Sequence, residues 1–95
     1  MKRSEAYIEK ISKMFRLSPA TAKTVYEEIN KYDWACFCSQ MGDYDQPGER
    51  VAAKKQLDRF KNFYSENFQK VINSVQEYMN NDEEYNIHSM DKEVE

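Results

Sequence analysis

Apolar residues recur at spacings of three and four along the first thirty positions, which is the period of a helix with one buried face. The first such stripe comprises Tyr7, Ile8, Ile11, Met14 and Phe15. Ser4 is expected to cap this helix, because a serine hydroxyl accepts a hydrogen bond from an otherwise unpaired amide. Ser18-Pro19 ends it and opens a second helix, since proline disfavours a helical residue before it but fits the first helical position. The second helix is predicted to bury Ala22, Val25, Tyr26 and Ile29.

The next segment, residues 31–41, is too rich in apolar residues for a loop. Asp33 would cap a separate short helix here, but the pattern fits a continuation of the second helix equally well. Residues 42–48 are predicted to form a loop, with Pro47 and Gly48 at the central positions of a type II turn.

After this loop the helical spacing resumes and continues for almost thirty positions. Its apolar residues are Ala53, Leu57, Phe60, Tyr64, Phe68, Val71, Val75 and Tyr78. The pattern predicts one long helix over about residues 49–80. The alternative is a bend near residues 65–67 that folds the second half back onto the monomer. Residues 81–95 are acidic, and their apolar residues, including Tyr85, are too scattered to bury much surface, so a tail that is disordered or ordered only by a partner is expected.

The expected fold is therefore all-α. It is a small bundle of three to four helices in one domain over residues 1–80, with an N-terminal helical hairpin, a long C-terminal helix and a disordered acidic tail over residues 81–95. A chain of 95 residues has the length of one domain. Only 2 Gly and 2 Pro, with 33% charged residues, argue against sandwiches, barrels and doubly wound sheets, because those folds need turn residues at short intervals.

The common enzyme signatures are absent from the sequence. It has no Gly-rich phosphate loop, no strand-turn-helix nucleophile elbow and no Ser/His/Asp or Cys/His arrangement. Cys36 and Cys38 are two positions apart, so on a helix they point to different faces, and reduced thiols are expected. His88 is the single histidine, which leaves too few ligands for a tetrahedral zinc site. We expect a non-enzymatic protein with no cofactor and no metal.

The chain also lacks targeting and membrane-spanning patterns. Its first residues turn polar before the 7 to 15 apolar residues of a signal peptide accumulate, and no apolar run reaches 18 residues. We expect a cytoplasmic protein with no membrane contact.

The net charge of −3 conceals a strong segregation of charge along the chain. Residues 1–31 hold seven Lys or Arg against four Glu, and residues 50–70 hold six against two acids. Residues 32–49 hold four acids and no basic residue, and residues 71–95 hold seven acids against one Lys. Two basic segments favour an anionic partner, although solvated helix faces give similar counts.

Residues 11–25 resemble a helix-turn-helix DNA-binding motif. The positions that match are Ser12, Leu17, Ala22 and Val25, which supply the small and apolar residues that the motif packs around its turn. The match departs at Arg16, where the motif favours glycine because the turn needs a positive backbone φ. An ordinary αα-hairpin needs the same small and apolar residues and remains the alternative.

The resemblance implies a set of contacts with duplex DNA. The N-terminal part of the second helix, with Ser18, Ala20, Thr21, Lys23 and Thr24, would face the major groove. Lys13 and Arg16 would lie near phosphates. Our first hypothesis is thus a small non-enzymatic regulatory protein that binds duplex DNA through this segment.

The second hypothesis is a protein-interaction module with no nucleic-acid contact. Aromatic surface is concentrated around the predicted loop, at Tyr32, Trp34, Phe37 and Tyr44. Of these, Tyr32, Trp34 and Tyr44 are the candidate partner-binding residues, because Trp and Tyr carry much of the binding energy at protein interfaces. The long helix and the acidic tail are further candidate surfaces for an adaptor, inhibitor or accessory subunit. The alternative role of these aromatics is a core plug between helices.

A homodimer is expected from the predicted long helix. At 1.5 Å per residue it would span about 45 Å, against about 20 Å for the first helix. Phe63 and Ile72 lie beside its main apolar stripe and would widen the face to be covered. Pairing of two copies around a two-fold axis would cover that face, whereas a bend near residues 65–67 would cover it within one chain.

Overall fold

A computed structural model describes residues 3–41, 47–83 and 85, with side chains for residues 4–37, 50–83 and 85. Over these residues the chain forms four α-helices and no strand, in the order α1 (Arg3–Phe15), α2 (Pro19–Met41), α3 (Pro47–Asn62) and α4 (Glu66–Asn81). The expected all-α bundle is confirmed. None of the described helices has the length and apolar character needed to cross a bilayer.

The helix directions follow from the contacts around Tyr7. Its ring lies 6.0 Å from that of Tyr26, so α2 runs back along α1 after the turn between them. Asp82, just beyond α4, meets Tyr7 and Lys10, whereas Tyr78 packs against Phe15 at 6.0 Å. α4 is therefore antiparallel to α1, and its N-terminal end points toward the end of the molecule that carries the α1–α2 turn.

The core lies between α1, α2 and α4, with one buried contribution from α3. Its buried residues are Tyr7, Ile11, Ala22, Val25, Tyr26, Ile29, Leu57, Ile72, Val75 and Met79. All four inward positions predicted for α2 are among them. On α4 the buried residues Ile72, Val75 and Met79 follow the helical period. Burial of each such side chain contributes about 1.5–3 kcal/mol, so this face fixes α4 on the bundle.

The prediction of one helix over residues 49–80 is wrong, and the bend is what the chain adopts. The helix ends at Asn62, and Ser65 begins a new one as its N-cap, with its hydroxyl accepting a hydrogen bond from the amide of Phe68 at 3.3 Å. Glu66 then lies in the first turn, where a negative charge is favoured by the helix dipole. A continuous helix would carry Ile72 and Val75 away from α1 and α2. Folding back buries both completely.

Two predicted boundaries also differ, and the open question of a separate helix over residues 31–41 is resolved. α1 begins at Arg3, so Ser4 lies inside the helix and is buried instead of capping it. α2 continues to Met41, so Asp33 caps no separate helix. α3 begins at Pro47, which takes the first helical position that proline tolerates, so the predicted turn at Pro47 and Gly48 is wrong. Residues 42–46 lie outside the described part of the chain.

Tyr85 packs against the bundle, which corrects its assignment to a tail that buries little. Its hydroxyl donates a hydrogen bond to Asp33 Oδ2 at 2.7 Å and accepts one from Asn30 Nδ2 at 3.0 Å. Its ring lies 5.6 Å from that of Tyr7. Asp82 accepts a hydrogen bond from the Tyr7 hydroxyl at 2.9 Å. The folded unit therefore extends beyond residue 80; residues 84 and 86–95, also predicted to be disordered, lie outside the described part.

Burial raises the pKa of Asp33 above its usual range, although the hydrogen bond from Tyr85 acts in the opposite direction. The pKa of Tyr85 is raised by its own burial and by Asp33, so this hydroxyl stays protonated and donates. The ionised form of Asp33 thus carries a desolvation penalty in the folded protein.

We expect Asp33→Asn to flatten the pH dependence of stability. The folded pKa of Asp33 is raised, so its contribution is fully present below the unfolded value near pH 4 and is lost as the pH rises through the folded pKa. Asparagine cannot ionise and still offers Tyr85 an acceptor oxygen. Denaturant unfolding between pH 4 and pH 7 measures this. The control is Asp58→Asn, which removes an exposed carboxylate from α3; equal pH slopes for wild type and Asp33→Asn would contradict the assignment.

Candidate nucleic-acid interface

The α1–α2 turn is built around a left-handed residue. Arg16 follows the last residue of α1 with φ 55°, among the conformations that favour glycine. The amide of Leu17 donates to the carbonyl of Ser12 at 3.0 Å, and the Ser12 hydroxyl donates to the carbonyl of Leu17 at 2.6 Å. The first of these bonds is the one that closes a Schellman helix end. The positive φ that the helix-turn-helix motif needs here is thus adopted by an arginine. An ordinary αα-hairpin ends its first helix in the same way.

Ser18 starts α2 as an N-cap. Its hydroxyl accepts a hydrogen bond from the amide of Thr21 at 3.2 Å, and its carbonyl accepts one from the amide of Ala22 at 2.9 Å. Pro19 takes the first helical position, where its missing N–H costs nothing. The prediction that Ser18-Pro19 opens the second helix is confirmed. Because the cap fixes where α2 begins, it also fixes which side chains of its first turns face outward.

Six of the seven predicted DNA-contacting residues are exposed. They are Lys13, Arg16, Ser18, Ala20, Lys23 and Thr24. Thr21 is half-buried. All seven lie on the last turn of α1, the connecting turn or the first two turns of α2, so the fold brings them to one end of the bundle.

The hydroxyl groups of this surface are partly engaged within α2. Ser18 donates to the Thr21 hydroxyl at 2.8 Å, and Thr24 donates to the carbonyl of Ala20 at 3.0 Å. Ser18 and Thr24 can still accept hydrogen bonds, because a hydroxyl oxygen has two lone pairs. The small side chains of Ser18 and Ala20 leave the backbone of the first turn accessible.

The cations of this surface differ in their pairing. Lys13 forms an ion pair with Glu9 at 3.3 Å, but both side chains are exposed, and such pairs contribute little. Arg16 and Lys23 form no ion pair with any residue that the structure describes. Two cations are thus available to an anionic ligand at the turn, and a third can be released from its partner. Glu27 is exposed one turn beyond Lys23, and its negative charge would repel an anionic ligand that extended further along α2.

A surface groove of about 550 Å³ separates the N-terminal half of α1 from α2. Ile8 and Pro19 supply apolar surface, and the charged side chains of the lining are two acids, Glu5 and Glu27, and two bases, Lys23 and Lys31. The balance of charge in this groove gives no preference for an anion. This groove therefore adds no support for an anionic ligand beyond the cations at the turn and the start of α2.

The residues predicted for a protein partner occupy different environments. Tyr32 is half-buried and packs against the core, and a hydrogen bond with Cys36 raises the pKa of its hydroxyl. Trp34 is half-buried and lies edge-on to Phe37, with ring centroids 5.7 Å apart. Tyr44 lies outside the described residues. Tyr32 thus contacts the core, whereas Trp34 contacts Phe37 on α2.

A second exposed cluster, which the sequence pattern did not indicate, lies at the α3–α4 turn. Phe63 is 86% exposed, although its position beside the long apolar stripe predicted burial, whereas Ile72 is fully buried. Arg59, Asn62 and Phe63 line a shallow hollow of about 220 Å³. The N-cap at Ser65 was the one signal that could have marked this turn, since serine before an acidic residue is typical of a helix start.

The described residues contain no cluster of His, Cys, Asp and Glu that could hold a metal ion. Cys36 is half-buried with a free thiol.

Two substitutions at Arg16 separate the backbone role of this residue from its charge. Arg16→Gly relieves a left-handed conformation that costs roughly 1 kcal/mol in other residues, partly offset by the greater chain entropy of glycine when unfolded. Arg16→Ala keeps the conformational cost. We expect the glycine variant to be more stable than the alanine variant by up to about 1 kcal/mol in thermal or denaturant unfolding. Equal stability of the two would show that the left-handed turn is not maintained in solution.

Comparison of the chain with protein families, with curated proteins and with solved structures finds no match. Any statement on function therefore depends on the geometry and charge of the surfaces described above.

Proposed function

We propose that this protein is a small, non-enzymatic, cytoplasmic regulatory protein that binds duplex DNA through the α1–α2 surface. This surface comprises Lys13, Arg16, Ser18, Ala20, Thr21, Lys23 and Thr24. The observation that supports the proposal most is that six of these seven residues are exposed at one end of the bundle, where Arg16 and Lys23 form no ion pair with a described residue. Arginine offers phosphate a planar, bidentate donor.

The proposed role of each residue in binding DNA follows from the position of its side chain. Lys13 in the last turn of α1 and Arg16 in the α1–α2 turn would bind phosphates, which position a protein on the duplex without reading its sequence. Lys23 and Thr24 lie on the exposed side of α2 and would reach base edges in the major groove. Ala20 offers a methyl group for contact with a thymine methyl. Glu27 confines the contact to the first two turns of α2.

A salt titration of duplex DNA binding tests the proposal. We expect affinity, measured by fluorescence anisotropy of a labelled duplex, to fall steeply as salt rises, because bound phosphates release counterions. Arg16→Ala should weaken binding and reduce the slope of log K against log salt by about 1. Lys31→Ala is the matched control, since it removes the same charge from α2 eight residues beyond Lys23. Absence of binding at low salt, or equal losses in both variants, would reject the α1–α2 surface.

A homodimer is also part of the proposal, but its support has changed. The overlong helix that required a covering partner does not exist, because α4 folds back and buries Ile72 within the monomer. The remaining support for a dimer is the need for sequence specificity in DNA binding. One such module reads few base pairs, and helix-turn-helix proteins pair to read two half-sites. Sedimentation equilibrium at micromolar concentration should give twice the chain mass of 11.4 kDa. A protein mass of 11.4 kDa, both in the free protein and within its complex with duplex DNA, would contradict the dimer.

The second candidate function is binding to a protein partner through α2. It is favoured by the pair of Trp34 and Phe37, which is only half-buried and lies outside the core cluster. Tryptophan is enriched among residues that dominate interface energy. A protein that fails to bind DNA at low salt but loses a defined partner upon Trp34→Ala would fit this candidate and exclude the first.

A further inference from the structure

The backbone of Phe63 is hydrogen-bonded within the α3–α4 turn, and its side chain is exposed. Its amide donates to the carbonyl of Phe60 at 3.2 Å, and the amide of Tyr64 donates to the carbonyl of Lys61 at 3.1 Å. The ring of Tyr64 packs against Phe60 at 5.2 Å and against Phe68 at 4.6 Å. The two residues at this corner therefore have different environments. Tyr64 packs against neighbouring aromatic rings, whereas the side chain of Phe63 is 86% exposed.

On α3, two exposed basic residues precede Phe63 in the chain. Lys55 and Arg59 are four positions apart, so they share one face of the helix, and both are exposed. Arg59 lines the hollow of about 220 Å³ together with Asn62 and Phe63. Neither Lys55 nor Arg59 forms an ion pair with a described residue, whereas Lys54 of the same helix pairs with Asp58 at 3.7 Å. An exposed aromatic face, an amide and two available cations thus lie in sequence on one surface.

We propose that this corner, formed by Lys55, Arg59, Asn62 and Phe63, binds single-stranded nucleic acid. An unpaired base stacks on Phe63, Arg59 and Lys55 bind the adjoining phosphates, and the Asn62 amide offers a donor and an acceptor to the edge of the base. Aromatic stacking tolerates any base, so the corner has little sequence preference. The site uses no residue of the α1–α2 surface, and the inference does not rest on duplex binding.

The chemistry of the corner favours this ligand over two others. In a two-fold pair of copies, Lys55 and Arg59 of one chain would approach the same cations of the other, and facing like charges oppose association. A membrane surface would require a broad apolar face. Among the described residues of α3, the exposed large apolar residue is Val51. Its neighbours along the helix are charged, namely Arg50, Lys54, Lys55 and Asp58.

Fluorescence anisotropy of a labelled oligothymidylate at low salt tests the proposal with the intact chain. We expect Phe63→Ala to weaken binding by roughly 5- to 150-fold, the range for loss of one stacked base. Phe63→Tyr keeps an aromatic face and should bind like the wild type. Arg59→Ala should weaken binding and reduce its salt dependence. Val51→Ala is the control, since it removes exposed apolar surface from the same helix without touching the corner.

Three results would overturn the proposal. They are the absence of oligothymidylate binding at low salt, equal binding by wild type and Phe63→Ala, and loss of self-association or of binding to anionic vesicles in Phe63→Ala while oligothymidylate binding is retained. Because Phe63 is exposed, its substitution should leave the unfolding transition unchanged, and a thermal melt verifies this. Arg16→Ala should leave oligothymidylate binding intact, so failure at this corner is distinct from failure at the α1–α2 surface.

Discussion

The packing of Tyr7 is the interaction on which the arrangement of the helices depends. From α1 its ring meets Tyr26 of α2, Tyr78 of α4 and Tyr85 beyond α4, at centroid distances of 5.6–6.5 Å. Its hydroxyl donates to Asp82, so the polar tip is satisfied where the apolar ring is buried. Aromatic rings bury large areas and favour tilted or offset contacts. One side chain thereby joins three helices and the segment that follows the last of them.

The position of the candidate DNA surface follows from this arrangement. Because α2 and α4 both run antiparallel to α1, the α1–α2 turn and the start of α4 point toward the same end of the molecule. The opposite side of Tyr7 carries Tyr85, Asp33 and Asn30, where polar groups are half-buried and bonded to one another. The bundle therefore separates a hydrogen-bonded region that stabilises the fold from an end where cations are left to solvent.

The two proposed binding surfaces differ in what makes them suitable. On the α1–α2 surface, a tight turn and small side chains allow a backbone to approach a rigid duplex. At the α3–α4 corner, a single exposed ring offers a face to a base that is already unpaired. Both surfaces carry cations, and the helical core supports both.

The sequence by itself determined the all-α class, the α1–α2 connection at Ser18-Pro19 and the inward face of α2, because helical periodicity and proline chemistry are local. Exposure of Lys13, Lys23 and Thr24 followed from the same period. Tertiary structure decided the rest. The apolar spacing runs through Phe60, Tyr64 and Phe68 without interruption, so periodicity cannot reveal a break whose stabilisation comes from burying Ile72 and Val75 against distant helices. Likewise, Tyr85 bonds to Asp33 across 52 positions, a contact that no local pattern specifies.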